Sequence, residues 1–298
     1  MADNLRKNYK AMLEAPEILV MPGVFDGFST AIVQKMGFKA GFISGAGISE
    51  SALGLSDFGV MGLEDNLNRA RALVDISGIP LQADADTGYG NAVNVYHTIR
   101  AFEKAGLVGA MIEDQVWPKR CGHMKGKDVI PFAEAVSKIK AAADARIDPD
   151  FVIMSRTDSF ALHGLNDAID RLNAFAEAGA DLIFADALLS EEDIIKVVQN
   201  TQKPLCVNMG FGIRTRSTTP LVSAKRMEAI GVGAVIYPRL LTGGAVVGMT
   251  RALEGLREAM ATEDVIEKPE LVASFEEILD LTKYDFLSDL EQKYAIRD

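Results

Sequence analysis

The chain has 298 residues, 48% of them hydrophobic, and its formal net charge at pH 7 is −11. An acidic chain is a poor partner for nucleic acid and for anionic membrane surfaces, so neither is an expected ligand. Two cysteines are too few for a disulfide framework, and no apolar segment has the length of a signal or membrane-spanning sequence, which predicts a cytoplasmic protein.

Short apolar runs alternate with helical patterns along the chain. The runs are rich in Val, Ile and Leu and show no polar alternation, which is typical of strands buried on both faces. Several helical patterns between them end at a glycine, a common C-terminal signal. The predicted strands span 18–22, 39–44, 79–86, 107–113, 151–158, 181–186, 204–208 and 233–238. The predicted helices span 3–13, 26–36, 63–76, 91–105, 130–146, 165–178, 191–200 and 224–230.

This alternation predicts a (β/α)₈ TIM-type barrel that forms one domain over residues 1–298. An open doubly wound sheet is the alternative, but no GxGxxG turn follows the first strand. Residues 254–298 form a charged helical extension with amphipathic spacing, so their apolar face is expected to pack against another protein surface. The spacing allows a contact with their own barrel or with another subunit.

Polar residues follow the carboxyl ends of six predicted strands. In barrels, the loops at that rim converge on one site, so these side chains are predicted to meet. They are Ser44 with Gly45, Asp84 with Asp86, Glu113, Arg156, Asp186 and Asn208.

The acidic members of this set predict a metal site. Asp84 and Asp86 lie two residues apart, which on a strand places both carboxylates on one side. With Glu113, and with Asp57 through a loop, they form an all-oxygen set that suits Mg²⁺ or Mn²⁺. Capping of the next loop and helix is the alternative role for the two aspartates.

Residues 111–127, MIEDQVWPKRCGHMKGK, predict a reactive loop. Lys119 and Arg120 are expected to lower the pKa of the Cys121 thiol, and His123 is near enough in sequence to share a proton with it. The glycines would let the loop close over a substrate and reopen. The alternative is a solvated basic loop with an incidental cysteine.

Arg156 has a planar guanidinium that suits a substrate carboxylate. A structural salt bridge with Asp158 or Glu113 is the alternative. Ser44 and Asn208 would add neutral hydrogen bonds, and the amides of residues 45–47 could hold a carboxylate.

Four segments carry a family resemblance. They are KRCGH at 119–123, DADTGYGN at 84–91, EDQ at 113–115 and SRTD at 155–158. Together they resemble the isocitrate lyase/phosphoenolpyruvate mutase superfamily, in particular its 2-methylisocitrate lyase-type members, from about residue 18 through residue 238. The resemblance implies a barrel whose last helix is exchanged with a neighbouring subunit, an extension at 254–298 that packs on that neighbour, and a homotetramer.

The resemblance also implies the chemistry: Mg²⁺-dependent cleavage of the C2–C3 bond of a 2-hydroxy di- or tricarboxylate, with Cys121 as proton donor. The implied metal ligands are Asp57, Asp84, Asp86 and Glu113. The candidate catalytic residues are Cys121, Arg156, His123 and Glu113. The candidate substrate-binding residues are Ser44, Gly45, Ala46, Asp84, Lys119, Arg120, Gly122, Arg156, Asp186 and Asn208.

Two residues depart from the lyase pattern. Phe42 stands where these lyases usually have tyrosine, and Asp186 where they have glutamate, so a substrate other than methylisocitrate, such as a substituted malate, is expected. Carboxyphosphonoenolpyruvate mutase, phosphonopyruvate hydrolase and oxaloacetate decarboxylase activities are the alternatives within the superfamily. KRCGH argues against the last two but not against the mutase. A non-catalytic binding protein is the alternative outside it.

Overall fold

The computed structural model describes residues 2–122, 124, 126–212 and 218–296. Within these residues, eight parallel strands close into a barrel in chain order, each paired with the next and the last with the first. The predicted barrel is therefore confirmed. The strands are β1 (Leu19–Val24), β2 (Gly41–Ile43), β3 (Leu81–Asp84), β4 (Gly109–Glu113), β5 (Val152–Thr157), β6 (Leu182–Ala185), β7 (Leu205–Asn208) and β8 (Ala234–Tyr237).

Helices surround the barrel and connect its strands. Residues 45–48 form a short helix, because the Ser44 Oγ accepts a hydrogen bond from the Gly47 amide at 3.0 Å and caps it. The helices are α1 (Ala2–Glu14), α2 (Gly27–Lys35), α3 (Gly45–Ile48), α4 (Leu63–Ile76), α5 (Ala92–Lys104), α6 (Phe132–Ala145), α7 (Phe160–His163), α8 (Leu165–Glu177), α9 (Glu191–Asn200), α10 (Ala224–Ala229), α11 (Leu240–Ala259), α12 (Phe275–Leu281) and α13 (Tyr284–Tyr294). A π-helical turn spans Ser49–Leu53 and a 3₁₀ turn spans Pro269–Leu271.

Successive residues of a strand face opposite sides of the barrel wall. On β5, Val152 and Met154 join the cluster inside the barrel, whereas Ile153 joins the cluster between strands and helices. Each fully buried side chain of this size stabilises the fold by roughly 1.5–3 kcal/mol. Cys206 lies in the interior cluster, and burial raises the pKa of its thiol far above the usual value, so it is a core residue.

The amino-terminal helix packs against one end of the barrel. Tyr9 on α1 is fully buried, and its hydroxyl contacts the Met21 sulfur at 3.4 Å and bonds to the Gln82 side chain. Arg6, one turn earlier, donates to the backbone oxygen of Leu107 at 3.0 Å. These contacts fill the amino-terminal end of the barrel with protein and leave the carboxyl-terminal end for a site.

The last barrel helix and the extension after it leave apolar side chains exposed. On α11, Leu253 is 66% exposed, and on α12, Phe275 is 70% exposed. The extension also contacts its own barrel, because Lys35 on α2 pairs with Asp280 at 2.6 Å. Contact of these helices with a neighbouring subunit, and the tetramer, stay predictions.

Among the described helices none is long and apolar enough to cross a membrane.

Candidate active site

A cavity lies at the carboxyl-terminal ends of the strands. The predicted site residues in its lining are Ser44, Ala46, Asp57, Asp84, Lys119, Cys121, Gly122, Arg156, Asp186 and Asn208. The rest of the wall is largely apolar: Phe42, Met111, Phe184, Met209, Phe211, Ile236, Pro238 and Leu240. Residues far apart in sequence therefore meet in one small volume, because each stands at or just beyond a strand end or in a loop that returns over the barrel.

The acidic cluster gathers around one buried ammonium group. Lys119 Nζ lies 2.6 Å from Asp57 Oδ1 and 2.8 Å from Asp86 Oδ1, and all three side chains are less than a tenth exposed. Burial raises the pKa values of Asp84 and Glu113, and the same ammonium is near enough to oppose that rise. Lys119 thus pairs its positive charge with the carboxylates, whereas the sequence predicted that it acts on the Cys121 thiol.

Asp84 and Asp86 come together for a reason other than the predicted one. Strand β3 ends at Asp84, and Asp86 has φ 48°, in the left-handed region, so the two do not alternate along a strand. Instead the chain turns, and the Asp86 amide donates to Asp84 Oδ1 at 3.0 Å. The predicted proximity is found, but a turn creates it.

Burial dominates the electrostatics of this cluster. It raises the pKa of Asp86 to about 6 and that of Glu113 well above its usual value, in each case against the opposing effect of neighbouring cations. Within the described residues, Glu113 Oε1 has no hydrogen-bond partner. A buried set of carboxylate oxygens that includes such an unsatisfied atom has the donor chemistry that a hard divalent cation requires.

The side chains are not arranged as a preformed metal cage. In the part of the chain that the structure describes, no three His, Cys, Asp or Glu side chains stand close enough together to hold an ion. Lys119 lies between Asp57 and Asp86, and a divalent cation at these carboxylates would replace part of the charge that Lys119 provides. The donor set fits Mg²⁺, and the metal stays a prediction.

Arg156 at the end of β5 joins three carboxylates. Its guanidinium lies 2.8 Å from Asp158, 3.1 Å from Asp186 and 3.2 Å from Glu113. Although burial acts to raise it, Arg156 and Lys127 hold the pKa of Asp158 well below its usual range. The salt bridges weighed as an alternative are therefore present, and they fix the guanidinium at the cavity wall rather than remove it from the site.

Asp114 is a further buried carboxylate, and it binds the carboxyl end of β5 and the residue after it. Asp114 accepts from Thr157 Oγ1 at 2.7 Å, from the Asp158 amide at 2.9 Å and from Arg171 at 3.1 Å. Burial raises the pKa of Asp114 to about 6. Because Asp158 in turn binds Arg156, this network sets the position of the guanidinium. The sequence assigned no role to Asp114, although it lies in the EDQ motif.

We call residues 115–122, 124 and 126–129 the cysteine loop. Its two ends meet in an antiparallel bridge between Gln115 and Val129, and the Gln115 side chain holds the backbone of Arg120 through bonds of 3.0 and 2.9 Å. Gly122 packs so closely on the site that an added Cβ would overlap the carboxylate of Asp186. The loop is therefore docked on the barrel, with Cys121 in the cavity wall.

A cation beside Cys121 comes from the barrel. Arg239, two residues after β8, places Nη2 4.0 Å from the Cys121 sulfur and pairs with Glu50 at 2.6 Å. Arg120 instead lies over the Phe58 ring, 5.6 Å from its centroid, and outside the cavity lining. A lower thiol pKa for Cys121 and substrate binding by Arg120 stay predictions. His123 lies outside the described residues.

The backbone amides of residues 45–47, which were predicted to hold a carboxylate, differ in their surroundings. Gly45 lies beneath Asp84, so close that a Cβ would stand 2.9 Å from the carboxylate oxygen, and the Gly47 amide already binds Ser44. That amide is therefore engaged, and of residues 45–47 it is Ala46 that lines the cavity. Sequence reasoning missed Arg239, although YPR stands at the end of the eighth strand as SRTD stands at the end of the fifth, and the same strand-end rule identifies it.

Known proteins resemble this chain along nearly its whole length. A family model described as phosphoenolpyruvate phosphomutase matches residues 9–257. The 2,3-dimethylmalate lyase of Eubacterium barkeri is 36% identical over 293 residues, which are 98% of this chain and 99% of that protein. The 2-methylisocitrate lyase of Escherichia coli strain K12 is 36% identical over 259 residues, 86% of this chain and 84% of that protein.

A solved structure matches the fold as closely. An oxaloacetate acetylhydrolase in complex with 3,3-difluorooxalacetate superposes with a TM-score of 0.89 and 29% identity, covering 98% of this chain and 97% of that one. The two lyases are equally identical to this chain, so identity alone does not choose between their substrates.

Proposed function

Because the chain belongs to the phosphoenolpyruvate phosphomutase family of the isocitrate lyase/phosphoenolpyruvate mutase superfamily, we propose that it is a carbon–carbon lyase. It cleaves the C2–C3 bond of a 2-hydroxy dicarboxylate and releases a 2-oxo acid and a carboxylate. The observation that carries this proposal is the position of Cys121, which faces the same cavity as Arg156 and two members of the acidic cluster, Asp57 and Asp84. A proton donor, a carboxylate anchor and a metal-competent acidic set are what this cleavage requires.

The shape and charge of the cavity favour a substituted malate. Three cations line it, but the Lys119 ammonium is held by Asp57 and Asp86, so the guanidinium groups of Arg156 and Arg239 are the two assigned to substrate carboxylates. Phe42 and Phe184 present apolar wall to the remaining substituents. A third carboxylate against such a wall would lose its hydration without a partner, which costs several kcal/mol. The smaller, alkyl-substituted dicarboxylates are therefore the better fit than a tricarboxylate.

Mg²⁺ is the proposed cofactor. Asp57, Asp84, Asp86 and Glu113 would hold it, partly through water, and their all-oxygen chemistry and burial support this assignment. When bound, the ion makes the substrate's hydroxyl group more acidic and offsets negative charge. Mn²⁺ has similar ligand preferences and would serve as a substitute.

The chain's own residues account for the remaining steps. A buried carboxylate of the acidic cluster, with Glu113 as the candidate, accepts the C2 hydroxyl proton, and the C2–C3 bond breaks as C2 becomes a carbonyl. The bonding pair passes to C3 and is delocalised into the carboxylate attached there. Cys121 then gives its proton to C3, which completes the second product and leaves a thiolate. Arg239, 4.0 Å from that sulfur, stabilises the thiolate charge.

The test is a panel of 2-hydroxy acids with detection of any 2-oxo acid released. Malate, 2-methylmalate, 2,3-dimethylmalate, isocitrate and 2-methylisocitrate are each incubated with Mg²⁺. We expect kcat/KM for a methyl-substituted malate to exceed that for the tricarboxylates by about tenfold or more. EDTA should abolish the reaction and excess Mg²⁺ should restore it. Release of no 2-oxo acid from any compound refutes the lyase, and full activity in EDTA refutes the metal.

A phosphomutase is the second candidate, because the matching family model carries that description. Such an enzyme moves a phosphorus group within or between carboxylate substrates and needs no proton donor at carbon. Formation of a carbon–phosphorus bond from an enol phosphate, followed by ³¹P NMR, together with silence across the 2-hydroxy acid panel, would favour it over the lyase.

Substitution of Gly122 by alanine should impair turnover. The new Cβ would overlap the Asp186 carboxylate and lie 2.5 Å from Arg156 Nη2, so the loop cannot dock where it does now. Because a misplacement of about 1 Å can cost on the order of 100-fold, we expect kcat/KM to fall by about that factor. Gly243→Ala on α11 is the matched control, since its Cβ meets nothing within 4 Å. Equal kinetics for both variants would show that the docked loop is not the catalytic arrangement.

A further inference from the structure

Lys127 occupies a position for which the proposed chemistry gives no reason. Its ammonium lies 2.8 Å from the backbone oxygen of Gly122 and 2.7 Å from Asp158 Oδ1, both within hydrogen-bond distance. It also lies 3.8 Å from Asp186 Oδ2. The side chain is 5% exposed, although it belongs to a loop at the mouth of the cavity.

These contacts join two parts of the molecule. Gly122 belongs to the cysteine loop and directly follows Cys121, whereas Asp158 follows β5 and binds the guanidinium of Arg156 through two hydrogen bonds. Removing a lysine ammonium from water is costly unless it is paired and hydrogen-bonded, and Lys127 has both kinds of partner. The burial of this charge therefore depends on the docked position of the loop.

We propose that Lys127 is a positioning residue that holds the cysteine loop, and with it Cys121, against the rim of the barrel by bridging Gly122 to Asp158. When the loop lifts, the ammonium loses Asp158 and the carbonyl of Gly122 loses its donor. The docked loop is stabilised over the open one by these charge-assisted bonds. Asp158 thereby connects the placement of Cys121 to that of Arg156.

The test measures access to the Cys121 thiol in the full-length protein without substrate. The reagent is 5,5′-dithiobis(2-nitrobenzoate), which is too bulky to follow a small substrate into the cavity. Cys206 is 0% exposed, so the fast phase of modification in the folded protein reports Cys121. We expect Lys127→Met to raise the rate constant of that phase about tenfold, as for loss of a charge-assisted hydrogen bond from the docked state.

Lys140→Met is the matched control, because Lys140 is an exposed residue of α6. It should react at the wild-type rate. A wild-type rate in folded Lys127→Met would overturn the proposal. If thermal unfolding shows that Lys127→Met does not fold, Lys127→Gln decides: its neutral amide cannot replace the ion pair, so the same increase is expected and an unchanged rate refutes the bridge.

The effect on catalysis rests on the proposed function. In the lyase assay, Lys127→Met should lower kcat about tenfold with KM nearly unchanged, because proton donation needs a placed Cys121 whereas ground-state binding does not. Lys127→Arg, which keeps the charge, should recover part of that loss. If Lys127→Met is modified faster but the wild-type protein releases no 2-oxo acid, the lyase proposal is refuted and the bridge is not. If Lys127→Met turns over normally and its thiol reacts at the wild-type rate, the bridge is refuted and the lyase proposal is not.

Discussion

Cys121→Ser is expected to reduce turnover by a factor of about 10²–10⁴, the usual contribution of general acid catalysis. A serine hydroxyl holds its proton far more tightly than a thiol does, so it is a poor donor to carbon at neutral pH. The substitution is nearly isosteric, and Cys121 lines the cavity beside Arg156 and Asn208, the groups proposed to bind substrate independently of the sulfur. Binding of the 2-oxo acid product should therefore be nearly unchanged.

The measurements are kcat for the best substrate of the panel and product affinity by calorimetry. Cys206→Ala is the matched control, because it removes the other thiol of the chain from the fully buried barrel interior. That variant should lose stability but keep kcat. A Cys121→Ser enzyme that cleaves its substrate at the wild-type rate would remove the cysteine from the reaction.

Arg156→Met should be the most damaging substitution at the cavity wall. The guanidinium is the shared partner of Asp158, Asp186 and Glu113, all of which are buried. Breaking a buried ion pair from one side costs about 3–5 kcal/mol, because it leaves an uncompensated charge. The free energy of unfolding at pH 7 should fall by about this amount, and no cleavage should be detectable.

The loss of stability should depend on pH in a definite direction. In the wild-type protein the pKa of Asp158 is held below its usual range, so its ion pairs stabilise the fold at neutral pH, and this contribution is lost as pH falls through the acidic range. Without the guanidinium, the buried carboxylates take up protons at higher pH in the folded state. The difference in stability between wild type and variant should therefore shrink as pH is lowered from 7 toward 4.

Urea unfolding followed by circular dichroism at several pH values measures this difference. Arg226→Met is the matched control, because Arg226 pairs with Glu191 at 2.6 Å but is 53% exposed. A pair so exposed contributes at most about 1 kcal/mol. An equal loss in both variants, or a gap that widens on acidification, would contradict the role assigned to Arg156.

Both expectations depend on contacts that sequence reasoning located only in part. The strand-end rule identified Arg156 and Asp186, and the structure places them 3.1 Å apart. It also placed Asp84 beside Asp86, although a turn and not a continuous strand brings them together. Such rules work because a parallel barrel brings every strand end to one rim, whatever the intervening sequence.

Sequence reasoning was less successful in predicting which charged groups lie next to each other. Lys119 and Arg120 are neighbours of Cys121 in sequence, yet one turns inward to Asp57 and the other lies over Phe58. Arg239, 118 residues away, lies 4.0 Å from the sulfur. Proximity along the chain does not determine the direction of a loop side chain, because burial and competing partners from distant strands decide it.

The amino-acid sequence by itself determined the barrel, since apolar runs buried on both faces and glycine-ended helices leave few other arrangements. It also located Asp84, Arg156, Asp186 and Asn208 at the carboxyl-terminal rim. Only the tertiary structure decided how those groups pair, including the bridge from Lys127 to Asp158 across 31 residues. Periodicity is a local property that each segment carries alone, whereas a buried ion pair forms between segments and exists only once the fold has excluded water from both.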